Sequence, residues 1–455
     1  MIDSQVLDEL RAVVGERHVL VDADLRASYE TDWTGRFRGS TPCVVRPAGT
    51  DEVRRLVEVA SRRGLALVPQ GGNTGLVGGS VPLAGEVVMS LRRLDGIDEV
   101  DRLARQVTVG AGATLGAVQE AIRSTGLVVG VDLAARDSAT IGGMVATNAG
   151  GIHVVRHGSM RAQVVGVEAV TGDGRVVSDL AGLEKDNTGY DLSGLFCGSE
   201  GTLGVITRVR IRLVDRPAER TLAMVACPSS AAAVSLAARA RGVAGINAIE
   251  AVWAPTLSLV AEHLGAEPPV EAPVVVLVEV AGDDDPTDPL ADALERSASF
   301  VDDALVATGP AGQLNLWRFR ESATEAISAA GTPVKLDVTL PASALASFAD
   351  EVADLVGSVA PDAQTYLFGH LGDGNVHVNV IGSGERTEDV EDAVLGDVAR
   401  REGSISAEHG IGTAKSRWLP LARSADELAI FSSLRGALDP AGICNPNVLR
   451  PLEVP

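Results

Sequence analysis

Cysteine is scarce in this chain of 455 residues, and long apolar runs are absent. The four cysteines, at positions 43, 197, 227 and 444, lie far apart and form no CxxC pair. A disulfide framework and a thiolate metal site are therefore excluded. No apolar run reaches the roughly 18 residues that a membrane span needs, and the first residues lack a basic segment followed by an apolar one. We therefore expect a soluble, cytoplasmic protein.

Positive charge is also in deficit. Lys and Arg number 39 against 61 Asp and Glu, which gives a formal net charge of −22. An acidic surface repels phosphate backbones and anionic lipids, so we expect no nucleic-acid partner and no integral membrane contact. Hydrophobic residues make up 45% of the chain, enough to bury a sizeable core, and the length suggests roughly two to three domains.

Lysine is the rarest charged residue, and it occurs only at Lys185, Lys335 and Lys415. Arginine carries most of the positive charge, so a retained lysine indicates a local need for a compact ammonium group. Surface solvation or chance is the alternative explanation for any one of them.

The apolar pattern alternates between helical and strand periods. It predicts a helix over residues 5–16, a strand near 43–46, a helix of about 13 residues capped by Thr50, and a strand over 65–69. From residue 222 a second pattern of strands and helices begins, with long Ala-rich helices near 230–241 and 286–304. The chain shows no internal repeat.

Two glycine-rich segments, 71–80 and 138–151, each lie beside a predicted strand. The first holds five glycines and no basic residue. Such loops expose backbone N–H groups and can wrap a diphosphate without lysine or arginine. Neither segment has the GxGxxG spacing of a Rossmann unit. One such loop could be a simple turn, whereas two in one half of the chain favour a large phosphate-bearing cofactor.

A third pattern places histidines near a turn. Asp373 and Gly374 form a hairpin signal, and a two-residue turn there would set His370 directly opposite His377, with Asn379 on the same face. Residues 406–412 add Glu408 and His409 in a glycine-flanked loop. Two imidazoles and a carboxylate suit Zn²⁺, with Mn²⁺, Fe²⁺ and Co²⁺ as alternatives. Polar residues on a half-exposed hairpin, without a metal, are the other interpretation.

A fourth pattern offers groups that bind carboxylates. Arg320 and Thr324 are spaced i, i+4, so one helix would place them on one face. A guanidinium beside a hydroxyl suits a carboxylate, although a solvated helix face explains the spacing equally well. Lys335 follows in a predicted strand, 334–338.

The glycine-rich half resembles a known family. The segments 69–75 (PQGGNTG), 139–143 (ATIGG), 185–191 (KDNTGYD) and 198–207 (GSEGTLGVIT) are together similar to the FAD-binding half of the vanillyl-alcohol-oxidase-type flavoproteins. The resemblance implies bound FAD. The contacts that we carry over are Gln70, Gly71, Gly72, Asn73, Thr74, Gly75, Ser138, Thr140, Gly142, Gly143, Asn148, Gly201 and Ile206. Some members attach the flavin to a histidine in the first loop, where this chain has Asn73, so the resemblance implies a non-covalent flavin.

The second half resembles the FAD-linked D-2-hydroxy-acid dehydrogenase family. The segments 369–377 (GHLGDGNVH) and 408–415 (EHGIGTAK) carry this resemblance, which with the first half covers almost the whole chain. It implies that His370, His377 and Glu408 bind the metal and that His409 is the base. It also implies that Arg320, Thr324, Lys335 and Asn379 contact the substrate. The residues at 320, 324 and 335–337 look most like the D-2-hydroxyglutarate branch.

The resemblance therefore predicts the architecture. We expect an α+β protein, with a two-part FAD-binding domain of the vanillyl-alcohol-oxidase type and an α+β substrate-binding domain built on an antiparallel sheet. The expected boundaries are an N-terminal helical segment at 1–40, the FAD-binding domain at 41–215, the substrate- and metal-binding domain at 216–410, and a C-terminal helical segment at 411–455 that returns to the FAD domain.

The implied reaction is the FAD- and metal-dependent oxidation of a D-2-hydroxy acid to the 2-oxo acid, with hydride transfer to flavin N5. D-2-hydroxyglutarate is the first choice, and D-lactate or glycolate the alternative. Two other classes stay open: a metal hydrolase without flavin, and a flavin-binding electron-transfer subunit without its own substrate. The sequence does not identify the electron acceptor, and a homodimer is compatible with it.

Overall fold

The computed structural model describes residues 2–450, which divide into two compact units. Unit 1 comprises residues 2–150, 158–216 and 408–450, and unit 2 comprises residues 151–157 and 217–407. Residue 1 and residues 451–455, at the ends of the expected segments 1–40 and 411–455, lie outside the described residues.

Helices and strands alternate through most of the described chain. The helices are α1 (Ser4–Val14), α2 (Ala23–Glu30), α3 (Thr50–Arg63), α4 (Leu115–Ile122), α5 (Ile141–Thr147), α6 (Val154–His157), α7 (Met160–Gln163), α8 (Leu192–Phe196), α9 (Ser230–Ala240), α10 (Ala254–Leu264), α11 (Thr287–Arg296), α12 (Pro310–Glu321), α13 (Ala323–Ala330), α14 (Ala342–Val359), α15 (Thr387–Arg400), α16 (Leu419–Ala422) and α17 (Ala425–Leu438). The strands are β1 (Val19–Leu20), β2 (Val44–Val45), β3 (Leu67–Gln70), β4 (Val87–Ser90), β5 (Gln106–Gly110), β6 (Leu127–Val129), β7 (Val164–Thr171), β8 (Val176–Asp179), β9 (Gly204–Asp215), β10 (Glu219–Cys227), β11 (Ile246–Trp253), β12 (Val274–Gly282), β13 (Asp303–Ala307), β14 (Val334–Thr339), β15 (Gln364–Gly369) and β16 (Asn375–Ile381). In the part of the chain that the structure describes, no helix is both long and apolar enough to cross a bilayer.

Helix α3 shows how local sequence sets a helix. Acidic residues occupy its first turn and arginines its last turn, which suits the helix dipole. The cap differs from the expectation, because Gly49 is the N-cap and Thr50 is the first helical residue. The Thr50 hydroxyl instead forms hydrogen bonds with the side chains of Glu168 and Thr207. The side chain that was expected to cap the helix is therefore used in a tertiary contact.

Unit 1 contains two sheets. The first has four strands in the order β1-β2-β4-β3, with β2, β4 and β3 parallel. The second has five strands, in which β9 pairs with β5, β7 and β6, and β8 pairs with β7. The C-terminal residues belong to this unit as well, since Cys444 forms a parallel bridge with Leu67 on β3. Two clusters of buried apolar side chains form the cores beside these sheets.

Unit 2 is built on a seven-stranded antiparallel sheet in the order β13-β10-β12-β11-β15-β16-β14. The side chains of Leu222, Leu277 and Phe368 join Trp317 and Phe319 of α12 in its apolar core. The central strands β11 and β12 are almost entirely buried. A polar side chain on these strands is therefore removed from water and needs an internal partner.

The β15–β16 hairpin differs from the predicted register. Its strands end at Gly369 and begin again at Asn375, so a five-residue loop replaces the expected two-residue turn. The amides of Asp373 and Asn375 both bond the carbonyl of His370, which closes this loop. His377 therefore lies opposite Phe368, and not opposite His370.

The predicted helix over 286–304 was too long. α11 ends at Arg296, and the chain enters β13 at Asp303. β13 pairs with β10 at the edge of the seven-stranded sheet, from Leu222 opposite Ala307 to Ala226 opposite Asp303. This strand pairing outweighs the helix preference of the Ala-rich sequence.

Candidate active site

A pocket in unit 1 is lined by both glycine-rich segments. Its lining comes mainly from residues within 69–80, 133–150 and 200–206, and it also includes Trp33, Leu91, Glu408 and His409. β3 leads into the first segment, and the second includes Thr140, whose hydroxyl accepts a hydrogen bond from the Gly143 amide at 3.3 Å and so caps α5. Among the described residues, no lysine or arginine lines the pocket.

The two glycine-rich segments approach each other through their backbones. A Cβ atom on Gly72 would lie 1.9 Å from the carbonyl oxygen of Ser138, and one on Gly71 would lie 2.2 Å from Oγ1 of Thr140. Only glycine permits this approach. The pocket therefore presents backbone groups, hydroxyls and small side chains, which is the donor set that a flat dinucleotide with a diphosphate needs. These residues fit FAD.

Most of the predicted cofactor residues line this pocket: Gly71, Gly72, Asn73, Thr74, Gly75, Thr140, Gly142, Gly143, Gly201 and Ile206. Gln70, Ser138 and Asn148 lie outside its described lining. Gln70 donates to the Tyr29 carbonyl at 3.0 Å, and Asn148 accepts from the Ser159 hydroxyl at 2.9 Å. The side chains of Gln70 and Asn148 thus connect neighbouring loops. Contacts of Gln70, Ser138 and Asn148 with FAD stay predictions.

Asn73 occupies the position where some family members carry the flavin-linking histidine. Its backbone is left-handed, with a φ of 58°, a conformation that asparagine adopts more readily than most residues. Its amide nitrogen donates to the Thr31 carbonyl at 2.9 Å, and its amide oxygen accepts from the Ser80 hydroxyl at 2.8 Å. The side chain therefore fixes the loop and offers no nucleophile for a flavin.

Glu200 is a buried carboxylate at the pocket that the sequence interpretation left unassigned. Its two oxygens accept hydrogen bonds from the amides of Ile411 and Gly412, at 2.9 and 2.7 Å. Burial raises the pKa of Glu200 to about 7, although these two amides and Lys415 act in the opposite direction. Glu200 lies in the segment 198–202 (GSEGT), and its place within that family motif could have marked it as a site residue. Glu200 ties the 411–412 backbone to the pocket wall.

Glu408 and His409 lie just before that anchored turn. Both line the pocket, and Nε2 of His409 is 3.9 Å from Oε1 of Glu408. Gly410 and Gly412 have positive φ angles of 82° and 52°, so the loop needs glycine at both positions. The predicted base thus lines the pocket that fits FAD.

In unit 2, four polar residues lie on one face of β14 and β16. Lys335 is directly opposite Asn379, and Asp337 is directly opposite His377. Asp337 is fully buried, and its Oδ1 is 3.4 Å from Nδ1 of His377. Lys335 is half-buried, and burial lowers the pKa of its ammonium group. Substrate contacts by Lys335 and Asn379 stay predictions.

The two predicted histidine ligands are close together despite the changed hairpin register. The ring centroids of His370 and His377 are 5.3 Å apart, and both residues are buried. Nδ1 of His370 lies 2.7 Å from Oε1 of Glu250, a fully buried residue of β11. Glu250 was missed from the sequence, although a glutamate within the apolar run of β11 was a signal. Burial favours a raised pKa for Glu250, but His370 and Arg320 outweigh it and lower the pKa.

Arg320 is buried, and it is already paired within unit 2. Its Nη2 atom is 2.7 Å from Oε2 of Glu250, and its guanidinium lies 4.6 Å from the ring centroid of Phe368. The single helix expected to join Arg320 and Thr324 is absent, because α12 ends at Glu321 and α13 begins at Ala323. Thr324 is exposed and does not share a helix face with Arg320, so a substrate contact by Thr324 stays a prediction from the resemblance alone.

The predicted metal donors are divided between the units. His370, His377 and the nearby Asp337 belong to unit 2, and Glu408 belongs to unit 1. Within unit 2, two neighbouring imidazoles beside buried carboxylates form a donor set that fits a divalent ion such as Zn²⁺. The complete ligand set stays a prediction.

Replacing Gly72 with alanine should weaken FAD binding, because the new Cβ would force the 138 and 72 backbones apart. We expect an affinity lower by about tenfold or more, equivalent to about 1.4 kcal/mol, measured by flavin fluorescence on titration of stripped protein. Gly96→Ala is the matched control, since its Cβ would meet no atom within 4 Å and Gly96 is outside the pocket lining. Wild-type affinity in Gly72→Ala would contradict this account.

Comparison with protein families identifies both halves of the chain. Residues 41–179 match the family described as "FAD binding domain", and residues 216–449 match "FAD linked oxidases, C-terminal domain". The second match spans more than half of the chain, and the expected FAD-binding family is confirmed.

Similar proteins extend this result over nearly the full length. The chain is 38% identical to the mitochondrial D-2-hydroxyglutarate dehydrogenase of Bos taurus, covering 99% of this chain and 84% of that protein. It is 37% identical to D-2-hydroxyglutarate dehydrogenase of Xanthomonas citri pv. viticola, covering 99% and 97%. In fold it is similar to p-cresol methylhydroxylase, with a TM-score of 0.78 and 14% identity over 99% of this chain and 97% of that one. The chain therefore belongs to the family of FAD-linked oxidases that contains the D-2-hydroxyglutarate dehydrogenases.

Proposed function

We propose that this protein oxidises a D-2-hydroxy acid to the 2-oxo acid, with FAD as hydride acceptor and a divalent metal ion at the substrate hydroxyl. The observation that carries the proposal is the presence of Glu408 and His409 in the pocket of the two glycine-rich segments. A flavin carrier without its own substrate needs no base beside its cofactor. An imidazole in this pocket therefore favours an enzyme over an electron-transfer subunit.

His409 is the proposed base. An alcohol carbon is a poor hydride donor until its hydroxyl group begins to lose its proton, and His409 accepts that proton at a ring nitrogen. FAD, when bound, supplies the hydride acceptor. The anchored turn at 411–412 restrains the backbone that carries His409, so the imidazole needs little reorganisation before it acts.

His370 and His377 are the proposed metal ligands in unit 2, and the resemblance adds Glu408 as the third. A divalent ion on these residues would lower the pKa of the substrate hydroxyl. Zn²⁺ suits two imidazoles and a carboxylate, and Mn²⁺, Fe²⁺ or Co²⁺ are the alternatives.

A dicarboxylic substrate, D-2-hydroxyglutarate first, is the proposed specificity. As the resemblance implies, Arg320 with Thr324 would bind one carboxylate, and Lys335 offers a second cation, in a chain that otherwise has very little lysine. Lys335 is half-buried, so a second substrate carboxylate would be a complementary partner for its ammonium group, in addition to an internal acid such as Asp337. The names of the similar proteins support the dicarboxylate.

Electrons must leave the reduced flavin to another molecule. The sequence has no nicotinamide fingerprint, no second flavin motif and no iron–sulfur cysteine cluster. A separate electron acceptor is therefore part of the proposal. The cytoplasmic location and the homodimer stay predictions.

The flavin should be non-covalent, because Asn73 stands where a linking histidine would be needed. Acid precipitation of the purified protein should leave the yellow chromophore in the supernatant, measured by its absorbance. Flavin that remains in the washed pellet would contradict this prediction.

Variants of a predicted metal ligand and of the predicted base should separate loss of the metal ion from slower flavin reduction. His370→Ala should lose the ion and most turnover but stay yellow. His409→Ala should keep the ion and slow flavin reduction by about 10²–10⁴-fold, the usual contribution of a positioned base. Metal analysis and stopped-flow flavin reduction measure the two effects. His263→Ala, on α10, is the control and should keep both properties. Near-wild-type turnover in metal-depleted His370→Ala protein would show that the ligand assignment is wrong.

The preference between two substrates tests the proposal that the substrate is a dicarboxylic acid. With an artificial acceptor, kcat/KM for D-2-hydroxyglutarate should exceed that for D-lactate by more than about tenfold, or about 1.4 kcal/mol. Lys335→Met should shrink this gap, and Lys185→Met, at an exposed position of unit 1, should leave it unchanged. Equal efficiency on both substrates would favour the lactate or glycolate alternative. A gap untouched by Lys335→Met would assign Lys335 a structural role.

A further inference from the structure

Glu250 joins two residues that the sequence assigns to different tasks. One carboxylate oxygen lies 2.7 Å from Nδ1 of His370, and the other lies 2.7 Å from Nη2 of Arg320. Glu250 is 0% exposed, so water does not compete for either contact. His370 and Arg320 are 120 and 70 residues from Glu250 in the sequence, which is why no local motif contains all three.

The contact with Glu250 determines which nitrogen of His370 can bind a metal. A carboxylate beside Nδ1 favours the proton on Nδ1, because the N–H then donates to a negative oxygen. The lone pair of the ring is then on Nε2. A histidine held in this way has a fixed tautomer, a fixed ring plane and a more basic ligand atom, which are the properties that a metal ligand needs.

The neighbouring imidazole also lies beside a buried carboxylate, at a longer distance. His377 has the buried Asp337 on the adjacent strand, with Nδ1 and Oδ1 at 3.4 Å. Each of the two close imidazoles therefore has its own buried carboxylate, one on β11 and one on β14. A repeated arrangement of this kind at both rings points to ring orientation rather than to a single accidental ion pair.

We propose that Glu250 is a positioning residue that orients His370 so that its Nε2 atom binds the divalent ion. This role rests on the metal-dependent function proposed above. The competing explanation is that Glu250 serves only to neutralise the buried Arg320 guanidinium. The two explanations differ in what they predict for metal affinity.

The test is the affinity of the full-length holoflavoprotein for Co²⁺ and Zn²⁺, measured by chelator competition after metal removal. Glu250→Gln keeps the size of the side chain but removes its charge. We expect Co²⁺ and Zn²⁺ to bind about 10–100-fold more weakly, the usual effect of losing a carboxylate behind a ligating histidine. We also expect a changed visible spectrum of bound Co²⁺, which a purely structural role would leave unaltered.

Glu279→Gln is the matched control. Glu279 is a buried glutamate of β12 on the same sheet face, since Glu250 lies opposite Leu277 and Glu279 is two residues further on. It accepts a hydrogen bond from Nε1 of Trp317 at 3.0 Å. This variant removes the same charge from the same sheet and should keep wild-type metal affinity.

Variants of Arg320 separate the two explanations. They also control for misfolding of Glu250→Gln caused by an unpaired guanidinium. Glu250→Gln leaves the buried guanidinium without its carboxylate, whereas Glu250→Gln/Arg320→Met removes both charges. The double variant should lose metal affinity as the single one does. Arg320→Met alone should keep it, because Glu250 still holds His370.

Two results would overturn this role, and they are distinguishable. If His370→Ala loses the ion but Glu250→Gln and the double variant bind Co²⁺ as wild type does, Glu250 has no positioning role and the proposed function stands. If the wild-type protein binds no divalent ion through His370, the proposed metal dependence fails and this role fails with it.

Discussion

The cost of burying a charged side chain is the constraint on which the unit-2 site depends. An ion left unpaired inside the seven-stranded sheet would cost several kcal/mol, so every buried acid there has an internal partner. Glu250 meets Arg320 and His370, and Asp337 meets His377. These contacts also determine where the imidazole rings point. The carboxylates that let the sheet hold buried polar groups are therefore the same carboxylates that lie beside the predicted metal ligands.

The pocket of unit 1 depends on a different constraint. Glycine at key positions lets the backbones of its two glycine-rich segments approach each other closely. Gly71 and Gly72 touch the 138–140 segment at distances that any Cβ would block. The result is a pocket of small groups, suited to a large cofactor with a diphosphate. Glu200 is the exception, since its buried carboxylate is used to hold the backbone of the 411–412 turn.

Sequence reasoning succeeded where a function imposes a local motif. The glycine-rich segments could be predicted from residues that are near one another in the chain, and the resemblance that such motifs carry predicted the family and the antiparallel sheet. Sequence reasoning failed where contacts between distant parts of the chain determine the register of a strand or the partner of a side chain. The 370–374 loop is closed by its own amides and not by a two-residue turn, so the register of His377 shifted. Glu250 reaches His370 across 120 residues, a pairing that no spacing rule contains.

The C-terminal segment of unit 1 has a consequence for the order in which the chain is assembled. Cys444 bridges to Leu67 on β3, and Asn445 donates to the carbonyls of Gly79 and Glu200, at 2.8 Å in each case. All of unit 2 lies in the sequence between Leu67 and Cys444. During synthesis, β3 and the first glycine-rich segment must therefore wait for nearly the whole chain before their contacts are complete. Contacts between residues so far apart in sequence form slowly, because the entropy of closing a long loop is lost before the contact can repay it.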